Sequence, residues 1–194
     1  AAAVASQNLA ERLEAEAQSQ YQILEEPSRK NSLGAITWAA ARLQQKYGAV
    51  IAGSFAADHA IKNVPVFRSA VAAAIKAAAD GKIVTIGIAP TYPSTAYGYI
   101  CASDKVLIPG SEQPPVLEAQ SFKEKPSEQQ ASSYLETGDY FWNAGMFVFN
   151  TEVFLSHLAT LLPNYYETVQ KMVRLTPGSA EFLELWESLP SYPI

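Results

Sequence analysis

The sequence predicts an α/β protein with a mixed, mostly parallel sheet, helices on both faces and further helices at the C-terminal end. Two short apolar runs bounded by glycine, Ala49 to Ile61 and Lys82 to Ile88, are typical of buried strands. Between them, Phe67 to Ala79 has apolar residues spaced three and four apart, which indicates a helix. A strand, a helix and a strand in this order imply a right-handed parallel crossover.

Length and composition indicate one domain with a single core, because 48% of the 194 residues are hydrophobic. The net charge of -5 and the scattered cations disfavour nucleic-acid binding. Cys101 is the only cysteine, which suits a reducing compartment, so the cytoplasm is the expected location. No apolar run approaches the ~20 residues that a spanning helix needs, so we expect no membrane anchor.

The first fifty residues predict two helices and a polar loop. Ala1 to Ser6 could end a strand, Asn8 to Gln20 is typical of a surface helix, and Gln22 to Glu26 is expected to be a strand. A second helix starts at Ser32 and stops before glycine 48. The loop at residues 27–32 could receive an anion on free N–H groups at the helix start. The alternative is a solvated turn, and the sequence of this loop, taken by itself, favours that alternative.

Asp58 follows the first predicted strand directly. In open α/β sheets ligands bind beyond the carboxyl ends of strands, so this is where a ligand-binding acid is expected. The alternative is a helix-capping aspartate in a strand-to-helix turn, and it is at least as well supported by this segment alone.

The loop at residues 89–100 leaves the end of the second strand. Tyr97 and Gly98 lie in it, and a glycine lets the backbone approach whatever it faces. Close approach beside aromatic rings suits a sugar ring, and a structural turn is the alternative. Residues 109–115 are expected to form a solvent loop between two strands of a peripheral hairpin.

Glu124 and Lys125 follow the second strand of that hairpin. Adjacent strand residues point to opposite faces, so the two can share a ligand only if the strand bends or ends there, which Pro126 favours. The carboxylate could accept sugar hydroxyls and the ammonium could pair with a phosphate. The alternative is an exposed ion pair. Ser127 then opens a predicted helix with a capping box.

The run Tyr140 to Asn150 is the most aromatic part of the chain and predicts a core strand. Asn143 within it must be hydrogen-bonded, either to a structural partner or to a ligand hydroxyl. Gly145, on the same strand face, would leave space beside it. Three helices are expected after this strand, and His157 on the first is expected to be a surface or packing residue rather than a catalytic one.

Four of these segments, in this order, resemble the mannose-1-phosphate guanylyltransferase family: Asp58-His59, Tyr97-Gly98-Tyr99-Ile100, Glu124-Lys125-Pro126 and Trp142-Asn143-Ala144-Gly145-Met146-Phe147. The resemblance implies the Rossmann-like nucleotide-diphospho-sugar transferase fold. It also implies that residues 1–194 are a partial nucleotidyltransferase domain, incomplete at both ends, because the family's N-terminal glycine-rich loop and second metal aspartate have no match here.

The resemblance also implies roles for individual residues. Asp58 would hold a catalytic Mg²⁺, since Ala57-Asp58-His59 resembles the family's Pro-Ala-Asp-His motif with Ala56 in place of the proline. Lys125 would meet the sugar phosphate as a second catalytic residue. The other implied site residues are Tyr97, Gly98, Glu124, Asn143 and Gly145 for the sugar phosphate, and Lys30, Asn31 and Ser32 for the nucleotide.

The implied reaction joins GTP and mannose 1-phosphate into GDP-mannose and pyrophosphate, with Mg²⁺ as the cofactor. A nucleotidyltransferase for another sugar 1-phosphate is the first alternative. A non-catalytic sugar-nucleotide-binding subunit is the second, because the family's phosphate-cradling loop has no match in this chain. The sequence leaves the oligomeric state open, a homodimer included.

Overall fold

The computed structural model describes residues 22–108 and 114–193. The predicted elements before residue 22 and most of the predicted loop at 109–115 therefore lie outside the described residues. The helices and strands, in chain order, are α1 Asn31–Tyr47, β1 Ile51–Ser54, α2 Val64–Ala79, β2 Val84–Ile88, β3 Gly98–Val106, β4 Leu117–Lys123, α3 Glu128–Thr137, β5 Tyr140–Asn150, α4 Thr151–Leu161, α5 Pro163–Met172 and α6 Ala180–Ser188.

Strand β5 lies at the centre of the sheet and pairs antiparallel with β1, β2 and β3, while β4 extends the sheet beyond β3. Phe147 pairs with Ser54 of β1 and with Thr85 of β2, so β1 and β2 flank β5 on opposite sides. Both run opposite to β5 and hence in the same direction, as a crossover predicts. Every pairing among the described strands is nevertheless antiparallel, so the prediction of a mostly parallel sheet is not confirmed. The physical reason is the position of β5 between the two strands of the crossover.

Helices cover both faces of the sheet, as predicted. Phe147 and Phe149 of β5 point into a core that α1, α4, α5 and α6 share, and Trp38 and Trp186 are buried there. Val148 points the other way and packs on alanines of α2. The alternation of side chains along β5 thus separates the two cores.

Helix starts and stops follow the local signals that predicted them. Ser127 and Gln130 form the predicted capping box at the start of α3, and Gly138 ends that helix in the left-handed conformation. The predicted strand at Gln22 to Glu26 is wrong, because this segment is irregular and pairs with no described strand. Within the described part of the chain, no helix is both long and apolar enough to cross a membrane.

Strand β1 is shorter and less buried than its apolar sequence predicts. It has four residues, and none of them is fully buried. Among the described strands β1 lies at an edge of the sheet, with β5 as its partner. Because one side of β1 has no described partner, its side chains reach only intermediate burial.

Candidate active site

The strand register brings three of the four sequence motifs together beside the first half of β5, and the Asp58 motif follows the strand that pairs with its second half. Strand β1 ends opposite Phe147, β2 ends opposite Trp142, and β3 begins at Gly98 opposite Asn143. Strand β4 ends at Lys123, which pairs with the second residue of β3. Each predicted site segment follows or precedes one of these strand ends. The motifs at Gly98, Glu124 and Asn143 are therefore neighbours in the fold, whereas Asp58 follows a strand that ends opposite Phe147, four residues further along β5.

Gly98 pairs with Asn143 across the sheet, and the Glu124 carboxylate lies against Gly98. A Cβ atom built on Gly98 would lie 2.8 Å from Oε2 of Glu124 and 3.6 Å from Cβ of Asn143. The Glu124 carboxylate therefore occupies the space that a larger residue at position 98 would fill. Because Gly98 has no side chain, the Glu124 carboxylate can lie over the first residue of β3, next to Asn143 of β5.

Hydrogen bonds to its oxygen fix the side-chain amide of Asn143. Oδ1 accepts hydrogen bonds from the N–H of Gly145 at 3.1 Å and from Oγ1 of Thr85 at 3.4 Å. No described residue accepts from the Asn143 NH₂ group, so that group can donate to a ligand. Gly145 has φ 65°, and a Cβ built on it would meet nothing within 4 Å, while its role beside the sugar stays a prediction.

Two residues that support this site were not singled out from the sequence. Thr85 is a hydroxyl within an apolar strand, a signal that could have been read. Ser94 is buried in the loop before β3, where its carbonyl accepts from the Tyr99 hydroxyl at 2.9 Å and its Oγ accepts from the N–H of Ala96 at 3.3 Å. These contacts order the loop that carries Tyr97.

An aromatic cluster borders Asn143. The Trp142 ring lies edge-on to Tyr92 and Tyr97, with ring centroids 4.9 and 5.3 Å apart. A hydrogen bond with Tyr92 raises the pKa of Tyr97 above its ordinary value. Tyr92 and Tyr97 remain about half exposed. The cluster offers apolar ring surface next to polar groups, which is the combination that a sugar ring requires.

The chain leaves strand geometry immediately after β4. Glu124 and Lys125 are exposed, and Lys125 has φ 43°, a left-handed conformation that is uncommon for a residue other than glycine. The strand therefore ends before the pair, as predicted from Pro126. Because Lys125 is no longer bound by the alternation of a strand, it is not forced to the face opposite Glu124.

Asp58 lies in an exposed turn four residues beyond the end of β1. Asn63, not Asp58, caps α2, since its Oδ1 accepts from the N–H of Val66 at 3.3 Å. The helix-capping alternative for Asp58 is thus wrong. No cluster of three or more His, Cys, Asp or Glu side chains suited to a metal occurs within residues 22–108 and 114–193. An exposed single carboxylate fits Mg²⁺, which is commonly held by one or two carboxylates together with substrate phosphates.

The loop before α1 is engaged by the C-terminal part of the chain. Nζ of Lys30 donates to the Glu187 carbonyl at 2.9 Å and lies 3.4 Å from the Glu187 carboxylate. The Ser32 N–H donates to Oδ1 of Asn31, and the Leu33 N–H donates to the carbonyl of Tyr192. Two N–H groups at the helix start are therefore already paired. The nucleotide roles of Lys30, Asn31 and Ser32 stay predictions.

The fold is an α/β fold of the kind that nucleotidyltransferases use, and the four segments that resemble their motifs lie in or next to its strands. The profile of the nucleotidyl transferase family matches residues 3–186, nearly the whole chain, and the chain belongs to this family. It is 37% identical to mannose-1-phosphate guanylyltransferase of Escherichia coli over 163 residues, which cover 84% of this chain and 34% of that protein. The identity is 36%, over 163 residues, with the xanthan biosynthesis protein XanB of Xanthomonas campestris, covering 84% of this chain and 33% of that protein.

Solved structures agree with this assignment. A Thermus thermophilus protein described as mannose-1-phosphate geranyltransferase superposes with a TM-score of 0.77 at 28% identity, covering 95% of this chain and 51% of that one. A Helicobacter pylori structure, at 24% identity and a TM-score of 0.76, supports the fold. The resemblance inferred from the four motifs is confirmed. The chain spans about a third of the length of the curated relatives that it matches.

Proposed function

We propose that the protein containing this chain transfers GMP from GTP to mannose 1-phosphate. A phosphate oxygen of the sugar phosphate attacks the α-phosphorus of GTP, and the bond to the bridging oxygen of the β-phosphate breaks. The products are GDP-mannose and pyrophosphate. The names of the relatives support this substrate pair. The observation that carries the proposal is that the Glu124 carboxylate and the Asn143 side chain both approach Gly98, because a carboxylate and an amide donor then lie at the same end of β3.

The site residues would act by positioning and by charge. The Glu124 carboxylate accepts hydrogen bonds from mannose hydroxyls, and the Asn143 NH₂ group donates to another hydroxyl. Tyr97 and Trp142 would pack against the ring. Lys125 pairs with the sugar phosphate and lowers the charge repulsion between the two substrates. Holding both reactants in line supplies much of the catalysis in phosphoryl-type transfer.

Asp58 is the residue that we propose to hold Mg²⁺. Its exposed position beyond β1 leaves room for a metal that arrives with the triphosphate. When bound, Mg²⁺ neutralises charge on the phosphates. The cytoplasm is the proposed location, because the lone Cys101 suits a reducing compartment.

Asp58→Ala in the full-length protein tests this assignment. We expect kcat with Mg²⁺ to fall by about 10³-fold or more, since electrostatic stabilisation of the transferred group is lost. The control is Asp104→Ala, which removes an exposed acid from the far half of β3 and should leave the rate unchanged. Equal melting temperatures would show that both variants fold. A wild-type rate in Asp58→Ala would rule out the metal role.

A substrate panel tests the choice of substrates. The wild-type protein should show the highest kcat/KM with GTP and mannose 1-phosphate among pairs drawn from GTP, ATP and UTP and from mannose and glucose 1-phosphates. A preference for another pair would replace the proposal with the nucleotidyltransferase alternative. Calorimetric binding of GDP-mannose without turnover of any pair would instead establish a binding subunit.

A further inference from the structure

The loop before α1 contains two adjacent cations with different environments. The Lys30 side chain is only 12% exposed, and its ammonium is held by both the carbonyl and the carboxylate of Glu187. Arg29 is exposed and forms no hydrogen bond or ion pair with a described residue. The charge of Lys30 is thus paired within the protein, whereas the charge of Arg29 is available to a ligand.

Contacts with α6 hold this loop in place. The Trp186 indole N–H donates to the Ser28 carbonyl at 3.0 Å. A Cβ built on Gly34 would lie 2.8 Å from Cβ of Lys30, so the first turn of α1 packs closely on the same loop. Proximity to Ser28 and to the Lys30 ammonium also lowers the pKa of the Glu187 carboxyl. These contacts pin the residues on both sides of Arg29.

The chain path indicates toward which end of the sheet this loop lies. Helix α1 is about 25 Å long, and only three residues separate its end from the start of β1. Trp38 and Ala41 pack in the same core as Phe149, so α1 lies along the sheet. Because three residues suffice only for a reversal of the chain between α1 and β1, the start of α1 is expected on the side of the sheet where β1 ends and Asp58 follows.

We propose that Arg29, rather than Lys30, binds the phosphates of the nucleoside triphosphate, and that Lys30 is a positioning residue that fixes the loop on α6. This inference rests on the proposed function and specifies its nucleotide side. A guanidinium offers paired donors that match phosphate oxygens. Lys30 could reach a phosphate only by giving up two partners, whereas Arg29 gives up none.

Steady-state kinetics of the full-length protein test the role of Arg29. Arg29→Ala should raise the KM for GTP about tenfold and weaken inhibition by inorganic tripolyphosphate by a similar factor, because the charge-assisted bonds to phosphate are lost. The KM for mannose 1-phosphate and the melting temperature should not change. Arg29→Lys should recover part of the loss. The control, Arg174→Ala, removes an exposed arginine beyond α5 and should leave both constants unchanged.

A second pair of variants tests the role of Lys30. Lys30→Met should lower the melting temperature by several degrees and raise the KM for GTP, while Lys30→Arg should restore both. An unchanged KM for GTP in Arg29→Ala would overturn the inference. So would a higher KM in Lys30→Met at an unchanged melting temperature. In either case wild-type turnover of GTP would leave the proposed function standing, whereas a wild-type protein that neither binds nor uses GTP would overturn both.

Discussion

Gly98 shows how one residue without a side chain organises the candidate site. A Cβ at position 98 would lie 2.8 Å from Oε2 of Glu124 and 3.6 Å from Cβ of Asn143. The backbone is also unusual at two other positions, since Asn31 and Lys125 are the two non-glycine residues with positive φ among those described. Both belong to predicted site segments. Such conformations are uncommon and tend to occur where function requires them.

Gly98→Ala should impair sugar binding more than stability. The added Cβ would displace the Glu124 carboxylate, which is at the end of a flexible, exposed side chain, so the fold can adjust. Losing hydrogen bonds to a charged group costs about 1.5–3 kcal/mol, so the KM for mannose 1-phosphate should rise at least about tenfold. Kinetics and thermal melting would check this. A variant with normal KM would show that the carboxylate position is unimportant for the sugar.

At the scale of elements, β5 is the piece on which the site is built. The first half of β5 contains Trp142 and Asn143 and lies between β2 and β3. Its second half contributes Phe147 and Phe149 to one core and Val148 to the other. Gly145 lies between the halves with positive φ, and the Asn143 side chain closes a short turn onto its N–H. One strand thus joins the packing of the fold to the polar edge.

The start of α3 is set by Ser127, directly after Glu124 to Pro126. Its hydroxyl accepts from the N–H of Gln130, and the Gln130 side chain accepts from the Ser127 N–H. Ser127→Ala should lower the free energy of unfolding by about 1 kcal/mol, the usual value of an N-cap. Urea denaturation measures it. Ser133→Ala, exposed in the middle of α3, is the matched control and should cost less; equal costs would contradict the capping role.

At the scale of the whole molecule, the larger core joins α1 and β5 to the last three helices. Tyr165 is buried within it, and its hydroxyl has no hydrogen-bond partner in the described part of the chain. Burial, together with the charges of Glu26 and Tyr192, raises the pKa of Tyr165 from 10.0 to about 12. The neutral form is therefore favoured in the folded state.

The sign of the pH dependence follows from this pKa. Since the folded state binds the proton more tightly, the stabilisation is complete below pH 10 and is lost as the pH rises toward 12, by about 2–3 kcal/mol in total. Tyr165→Phe should remove this loss and leave stability at pH 7 unchanged or higher, because an unpaired hydroxyl is removed. Urea titrations at pH 7 and at alkaline pH, with Tyr166→Phe as control, would check this. The same alkaline loss in both variants would contradict it.

The sequence by itself determined the helices, the long strand β5 and the four motifs, because periodicity, caps and turn residues act over a few neighbouring positions. The limits Tyr140 to Asn150 and the capping box at Ser127 were predicted correctly for this reason. Local signals failed at Gln22 to Glu26, where an extended pattern has no partner strand among those described.

Only the tertiary structure decided which strands pair and which charges remain available. The position of β5 between β1 and β2 depends on pairs of residues 93 to 99 positions apart for β1 and 54 to 64 positions apart for β2, and no local pattern encodes it. The same holds for Lys30, whose ammonium is taken up by Glu187 at the far end of the chain. The stability of a strand pair or an ion pair depends on which groups surround it, and residues distant in sequence become neighbours only when the chain folds.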